Sequence, residues 1–162
     1  MPEETVVTPA SLNNAQRGQL AELIFIRKAA SLGFAVAKPW NEGERYDAIV
    51  RFETRLWRVQ VKSVLAKSPS RSYYCVGTVA NRNTQCGPVK TYSTAEIDFL
   101  VAYIFPEDLW YVFPAARVVT QKSVCLSPGS KRSKFEQYRE AWHLMRSAEP
   151  TAEMALGAAA GA

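Results

Sequence analysis

The chain contains 162 residues, which is the length of one soluble domain and too short for a chain of several. Apolar residues make up 48% of the chain and charged residues 22%, a composition that is typical of globular proteins and excludes wholesale disorder. Lysine and arginine number 20 against 15 aspartate and glutamate residues, which gives a net charge of +5.

The charges are unevenly distributed along the sequence. Residues 51–90 carry 8 basic and 1 acidic side chains, and residues 117–146 carry 7 and 2. Between these two basic blocks, residues 91–116 carry 4 acidic side chains and no basic one. Clustered positive charge is typical of a surface that binds a polyanion, although an ordinary globular surface of mixed charge can have the same total. The charge pattern is therefore compatible with a nucleic-acid partner and with an ordinary globular surface, and does not by itself decide between them.

The hydropathy pattern argues against a membrane protein. The longest apolar run, Phe99 to Phe105, is far shorter than the roughly 18 to 20 residues that span a bilayer. The first four residues, Met-Pro-Glu-Glu, lack the basic and apolar regions of a signal peptide. We therefore expect a cytoplasmic protein with no membrane partner.

Cysteine and histidine are too few for several kinds of site. Cys75, Cys86 and Cys125 are odd in number and widely spaced, without the close pairs of a zinc site or a disulfide framework. We therefore expect them to be buried apolar residues in a reducing compartment. His143 is the only histidine, which excludes most histidine-based active sites.

The first predicted element is a helix. Asn14 can cap a helix over residues 15–31, and Gly33, which readily adopts positive φ, ends it. The middle of this helix, residues 20–26, is apolar nearly all round and predicts packing on more than one side. The segment before it, residues 1–13, contains two prolines and is expected to be loosely ordered.

Three strands are predicted after the helix, at residues 34–38, 46–52 and 56–63. The third strand alternates between apolar and polar side chains, which places the two sets on opposite faces of a sheet. The apolar set is Trp57, Val59 and Val61, and the polar set is Arg58, Gln60 and Lys62.

The second half of the chain predicts more strands and a closing helix. The order of elements, a helix, three strands, then further strands and a helix, predicts an α/β or α+β domain over residues 14–148. An Ala/Gly-rich tail follows at residues 149–162 and is expected to be disordered. The later elements are strands at residues 73–79, 97–105 and 109–113, a turn-rich loop at residues 81–88 and a helix at residues 134–146.

Three polar features could carry chemistry. Glu22 stands among apolar residues of the helix, where an ionised carboxylate needs a partner or a function, unless it faces solvent on a thin polar stripe. Asp47 lies at the start of a predicted strand, where it could equally be an ordinary carboxylate at the edge of a loop. Gln60 and Lys62 project from one face of a strand about 7 Å apart, which is also commonplace. Their order is more informative: a helical glutamate, a strand-borne aspartate and, 13 residues later, a Gln-x-Lys strand.

This order resembles the PD-(D/E)XK nuclease superfamily, whose core is a helix followed by a three-stranded meander with Asp on the second strand and an acidic residue-x-Lys on the third. The resemblance covers residues 14–79, and residues 92–114 resemble the later strands. It implies a restriction-endonuclease-like α/β (α+β) core, with a mixed β-sheet flanked by helices. Tyr46 stands at the position of the motif's proline and Gln60 at that of the second carboxylate. The glutamine is similar to a variant found in homing endonucleases encoded in group I introns.

The resemblance implies a metal-dependent endonuclease that hydrolyses DNA phosphodiester bonds with Mg²⁺, for which Mn²⁺ can substitute. Its catalytic residues would be Glu22, Asp47, Gln60 and Lys62. The side-chain oxygens of Asp47 and Gln60, with the backbone carbonyl of Val61, form an oxygen-rich set that suits Mg²⁺. Glu22 would hold a second ion or a water of the first, and Lys62 would orient the attacking water or stabilise the scissile phosphate.

The basic blocks supply candidate contacts to double-stranded DNA, because contacts from lysine and arginine to phosphate provide most of the sequence-independent affinity. Three of the basic residues precede the predicted helix at residues 134–146, whose amino-terminal N–H groups could bind another phosphate, unless the loop is a solvated turn. The candidate contacts are Arg51, Arg55, Arg58, Lys67, Arg71, Arg82, Lys131, Arg132 and Lys134.

Several functions are compatible with these residues. Because two strands must be cut, a small nuclease with one site is expected to act as a homodimer or homotetramer. A junction resolvase or a restriction-type nuclease would share the same core. Two alternatives belong to other classes: a DNA-binding module that has lost catalysis through Gln60, and a protein-interaction domain in which the Gln-x-Lys strand is merely solvated.

Overall fold

The computed structural model describes residues 6–41, 43–80 and 90–147. These residues contain one α-helix and seven β-strands, together with short 3₁₀ helices. Their bounds are α1 Asn14–Ser31, β1 Ala35–Ala37, β2 Ala48–Phe52, β3 Arg55–Val64, β4 Tyr74–Gly77, β5 Phe99–Ile104, β6 Leu109–Pro114 and β7 Ser123–Leu126.

Five strands form one mixed sheet in the order β1-β2-β3-β5-β6. Neighbouring strands are antiparallel except β3 and β5, which are parallel. All six residues of β5 are buried, as expected for a strand that is covered on both faces. The two remaining strands, β4 and β7, pair as a separate antiparallel ribbon. The mixed sheet with its packed helix confirms the α/β (α+β) fold predicted from the sequence.

Apolar side chains cover both faces of the large sheet. On one face, Phe25 of α1 and Trp142 pack with Val59 of β3 in a first core. On the other face, Leu100 of β5 packs with Leu126 of β7 in a second core. Alternate residues of β5 and β6 enter the two cores, as the period of a strand requires. The helix and the ribbon therefore lie on opposite sides of the sheet.

Helix α1 buries one face only, so the prediction that it packs on several sides is wrong. Leu23, in its apolar middle, is 64% exposed. The helix is capped by Asn13 rather than Asn14, because the Asn13 side chain accepts a hydrogen bond from the backbone N–H three residues later. The buried residues of α1 are spaced by four, along one stripe: Ala21, Phe25 and Ala29.

The α-helix predicted at residues 134–146 is absent. Two short 3₁₀ helices, Glu136–Tyr138 and Trp142–Met145, take its place. Between them Glu140 has a φ of 49°, which interrupts a right-handed helical path. Its backbone N–H donates to the Trp110 carbonyl at 2.8 Å and its carboxylate accepts from the Trp110 N–H at 2.9 Å. These bonds to β6 fix the segment in the non-helical path.

The missing helix removes one predicted phosphate site. Lys131 and Arg132 lie in turns, and Lys134 places its ammonium 5.3 Å from the centre of the Phe135 ring. A helix terminus binds phosphate through several aligned N–H groups, which a 3₁₀ helix of three residues does not supply. The three basic side chains are exposed.

The β4–β7 ribbon differs from the prediction in two respects. The sequence assigns no defined element to residues 117–126, whereas the structure contains β7 there. Cys75 of β4 and Cys125 of β7 are exposed, so the expectation that they are buried is wrong. Cys86, the loop at residues 81–88 and the tail at residues 149–162 lie outside the described residues. Within the described part of the chain, no helix is long and apolar enough to cross a membrane.

Candidate active site

The register of β2 and β3 brings Asp47 beside Gln60. Ala48 pairs with Val59, and the Asp47 N–H donates to the Val59 carbonyl at 2.9 Å. Asp47 therefore lies directly before the paired part of β2, beside Val59, and its carboxylate reaches the side chain of the next residue on β3, Gln60. The two strands are joined by a tight turn that contains Glu53, whose φ is 52°. The interval of 13 residues between Asp47 and Gln60 is therefore spanned by this one hairpin.

Hydrogen bonds from β3 hold the Asp47 carboxylate in place. Its Oδ2 atom accepts from the Val61 backbone N–H at 2.8 Å and from the side-chain amide of Gln60. The same Gln60 nitrogen donates to the Val61 carbonyl at 3.2 Å. Gln60 is only 7% exposed, so it is a buried part of the site and not a solvated strand residue.

The environment of Asp47 favours its protonated form. Burial raises the pKa of this carboxyl from 3.8 to about 6, whereas the hydrogen bond from Val61 lowers it. The negative charge of Glu22 raises the pKa further, and the positive charges of Lys62 and Lys38 lower it. The carboxyl therefore titrates near neutral pH, where a bound cation would favour its ionised form.

Glu22 reaches the same site from helix α1. It lines a cavity of about 390 Å³ together with Asp47, Gln60 and Lys62. Its carboxylate forms an ion pair with Lys38, which directly follows β1. The structure therefore brings together all four catalytic residues predicted from the sequence, and it gives the helical glutamate a partner. Nothing in the sequence spacing singles out Lys38, because β1 must first pair with β2 to bring it near the site.

Lys62 stands at the junction of this cavity and a second recess. Its ammonium lies 5.3 Å from the centre of the Tyr92 ring. The recess has a volume of about 570 Å³ and is also lined by Arg45 and Lys90. Burial raises the pKa of the Tyr92 phenol, which therefore stays protonated at neutral pH. Sequence reasoning misses Arg45, Lys90 and Tyr92 because they come from loops whose positions depend on tertiary contacts.

One predicted DNA contact has a structural partner instead. Arg58 donates from Nε and Nη2 to the two oxygens of Asp98, at 3.0 and 2.9 Å. Its guanidinium also binds the backbone carbonyls of Thr94 and Ala95. Since these bonds occupy the guanidinium within the protein, we do not include Arg58 in the proposed DNA surface.

The other predicted contacts lie in two groups. Arg51 and Arg55 lie at the turn end of the β2–β3 hairpin, with Arg51 four residues, or roughly 13 Å, along the strand from Asp47. Lys67 and Arg71 lie in the loop between β3 and β4, the two strands that line the cavity, and both are exposed. Arg82 lies outside the described residues.

The fold and this cluster define a known class of nuclease. The chain belongs to the PD-(D/E)XK endonuclease family, whose model matches residues 12–145. Its structure is similar to that of a bacterial homing endonuclease, I-Ssp6803I, with 32% sequence identity, a TM-score of 0.66 and coverage of 82% of this chain and 91% of that chain. These findings confirm the resemblance predicted from the sequence and support a nuclease function, with DNA as the substrate class.

Other comparisons add little. MepB is 15% identical over 76% of this chain and 85% of its own, with a TM-score of 0.36, and supports no argument. No curated protein matches the chain significantly.

The donor set at the site fits a hard divalent cation. Nucleases of this family generally use divalent metal ions. The described residues contain no group of three or more His, Cys, Asp and Glu side chains suited to a metal. They offer instead the carboxylates of Asp47 and Glu22, the Val61 carbonyl and the Gln60 amide, which all have oxygen atoms that Mg²⁺ accepts. The Gln60 amide presents its nitrogen to Asp47, and a half-turn of the amide would present its oxygen.

Proposed function

We propose that this protein is a divalent-metal-dependent DNA endonuclease of the homing-endonuclease type. The supporting observation is the cluster of Asp47, Gln60 and Lys62 in one cavity with Glu22. Both hydrogen-bond donors to Asp47 Oδ2 are neutral amides, and its pKa is raised to about 6. Such a carboxylate is suited to a cation, and an adjacent lysine is suited to a phosphate.

Each residue has a role that follows from its position. A divalent ion, Mg²⁺ or Mn²⁺, would supply Lewis-acid stabilisation of the negative charge that develops on the phosphoryl oxygens. Asp47, the Gln60 side-chain oxygen and the Val61 carbonyl would hold this ion. Glu22, after release from Lys38, would hold a second ion or orient a water molecule. Lys62 would bind the scissile phosphate or orient the attacking water, with its ammonium kept beside the Tyr92 ring.

The proposed DNA surface surrounds this cavity. Lys67 and Arg71 extend from the loop before β4, and Lys90 lines the recess beside Lys62. We keep Arg51, Arg55, Arg82, Lys131, Arg132 and Lys134 as further candidates for phosphate contacts. Since one cavity can cut one strand at a time, we propose that the protein cuts a duplex as a homodimer or homotetramer.

The test is cleavage of plasmid DNA in Mg²⁺ or Mn²⁺. The wild type should nick or linearise the plasmid, and a chelator should abolish the reaction. Asp47→Ala and Lys62→Ala should be inactive but folded by circular dichroism. Lys28→Ala is the matched control, because it removes a lysine of α1 that pairs with Glu140 at 3.4 Å, and it should cut normally. Equal activity in all four proteins would show that the cuts come from a contaminant.

A second candidate function is a DNA-binding module without catalysis. It is favoured by Gln60, which replaces the family's second carboxylate, and by the ion pair that occupies Glu22. This protein would bind DNA with an affinity that falls steeply with salt, yet would cut no substrate in either metal. Failure to bind DNA even at low salt would contradict both candidates.

A further inference from the structure

Two cysteines face each other across the β4–β7 ribbon. The register pairs Cys75 with Cys125, and both side chains are exposed. The pair lies 50 positions apart in the sequence, and only the pairing of the two strands brings the thiols together. The proposed nuclease chemistry uses neither residue.

The position of the pair in the ladder suits a disulfide. The Thr78 N–H donates to the Lys122 carbonyl at 3.0 Å, so this position of the ladder is a hydrogen-bonded pair. Antiparallel ladders alternate, which makes the pair three positions further along, Cys75 and Cys125, a non-hydrogen-bonded one. Residues in such a pair have Cα atoms about 4.5 Å apart, within the range of roughly 4.4 to 6.8 Å that disulfides span.

The two thiols already interact. Partial burial raises the pKa of the Cys125 thiol, and the neighbouring Cys75 thiol raises it further. Arg71 lowers the pKa of the same thiol. A thiol that holds its proton reacts slowly at neutral pH, so disulfide formation should become faster as the pH rises.

We propose that Cys75 and Cys125 are a redox-modification site, closed as an intramolecular disulfide by a small disulfide oxidant such as oxidised glutathione. In the first step, one thiolate attacks the oxidant, forms a mixed disulfide and releases one glutathione. In the second step, the other cysteine, as its thiolate, attacks the protein-bound sulfur and releases the second glutathione. Two protein thiols are oxidised, one glutathione disulfide is reduced, and the two thiol protons pass to the two glutathiones.

The site is placed at the candidate active centre. Cys75, Val76 and Gly77 of β4 line the cavity that contains Asp47 and Lys62. A bond to β7 ties this wall to a second strand and draws the Cys75 sulfur toward Cys125. The redox state of the pair therefore changes the chemistry of one residue that lines the cavity.

The test uses the full chain with Cys86→Ser, so that only the two paired cysteines remain. After incubation with oxidised glutathione, intact mass should show the loss of two hydrogen atoms, and peptide mapping should link Cys75 to Cys125. The midpoint of thermal unfolding should rise by about 5 to 10 °C, because the bond restricts the unfolded chain, and dithiothreitol should reverse the rise.

Two variants in the same background separate pairing from simple reactivity. With Cys125→Ser, the reaction should stop at one bound glutathione, because no second thiol resolves it. Adding Ser123→Cys to Cys125→Ser restores the thiol count but places the new thiol diagonally, where closure should be at least about tenfold slower. In the protein that keeps both Cys75 and Cys125, stable glutathione adducts on both cysteines, or thiols that stay reduced at high pH, would overturn the proposal. Because mass spectrometry measures the outcome, the test does not depend on nuclease activity.

Discussion

Two of the polar side chains of strand β3 are each bound to an aspartate, and the two pairs differ in charge. Arg58 binds Asp98 with a guanidinium that neutralises the carboxylate, and this contact raises the pKa of Arg58. Two residues further along, Gln60 binds Asp47 with a neutral amide, and the pKa of Asp47 is raised to about 6. In the first pair the Arg58 guanidinium compensates the negative charge of Asp98. In the second pair the negative charge of Asp47 is only partly compensated.

This contrast in charge indicates where cation chemistry can take place on the sheet. A carboxylate already paired with an arginine gains little from a metal ion, because the ion would have to displace a positive charge. A carboxylate held by neutral donors in a cavity is destabilised by its own ionisation and gains from a cation. The Arg58 pair therefore stabilises the fold, and the Gln60 pair is suited to chemistry.

The sharpest test compares Asp47→Asn with Asp98→Asn, two matched removals of one negative charge. Asp47→Asn should lower plasmid cleavage by about 10³-fold or more, since the residue would hold the ion. Asp98→Asn should keep the cleavage rate of the folded protein but lower the free energy of unfolding by about 1 to 3 kcal/mol, because Arg58 loses its counter-charge. Urea unfolding and plasmid cleavage measure the two effects. Loss of cleavage in Asp98→Asn, with loss of stability alone in Asp47→Asn, would contradict the comparison.

The pH dependence of stability tests the environment of Asp47. The folded pKa of Asp47, about 6, lies above the ordinary value of 3.8, so its protonated form stabilises the fold. That stability is present below about pH 4 and is lost as the pH rises through 6, a change of up to about 3 kcal/mol. Asp47→Asn should remove this loss and be more stable than the wild type at pH 8. If the free energies of unfolding of the two proteins change in parallel from pH 4 to 8, this prediction is wrong.

Gln60→Glu gives the Gln60–Asp47 pair the second carboxylate of the family's usual motif. With calcium as the probe ion, the variant should bind the ion about tenfold more tightly by calorimetry, because a second carboxylate enters the site. Without calcium it should be less stable than the wild type above pH 6, since two carboxylates then repel each other. An unchanged calcium affinity would mean that this side chain is not a ligand. Arg58→Lys provides the control, because it should leave calcium affinity unaltered.

The smallest expected effect concerns Gly18, which lines the cavity one helical turn before Glu22. A Cβ added at this residue meets no atom within 4 Å, and alanine favours a helix over glycine by about 1 kcal/mol. Gly18→Ala should therefore raise the free energy of unfolding by about that amount, with cleavage within about twofold of the wild type. A loss of stability in urea unfolding would mean that the helix needs this glycine for another reason.

The local pattern of β3 was readable because alternation along a strand is a property of the backbone. The apolar residues Val59 and Val61 enter the first core, and the strand bounds are predicted to within one residue. Helix α1 and its end at Gly33, where φ is 86°, are predicted equally well. The prediction of a helix at residues 134–146 is wrong because hydrogen bonds from Glu140 to β6 override the local helix preference. No local pattern in the sequence reveals these bonds.

The amino-acid sequence alone is enough to identify the family motif, the order of α1 and strands β1 to β3, and Glu22, Asp47, Gln60 and Lys62 as candidate catalytic residues, since these depend on residue type and on short intervals along the chain. Which of these charges are already paired depends on the tertiary structure. Lys38 reaches Glu22, and Asp98 reaches Arg58, through strands that meet by long-range pairing. Cys75 meets Cys125 in the same way. Pairings between distant segments depend on how the strands pack, and that information is spread over the whole chain.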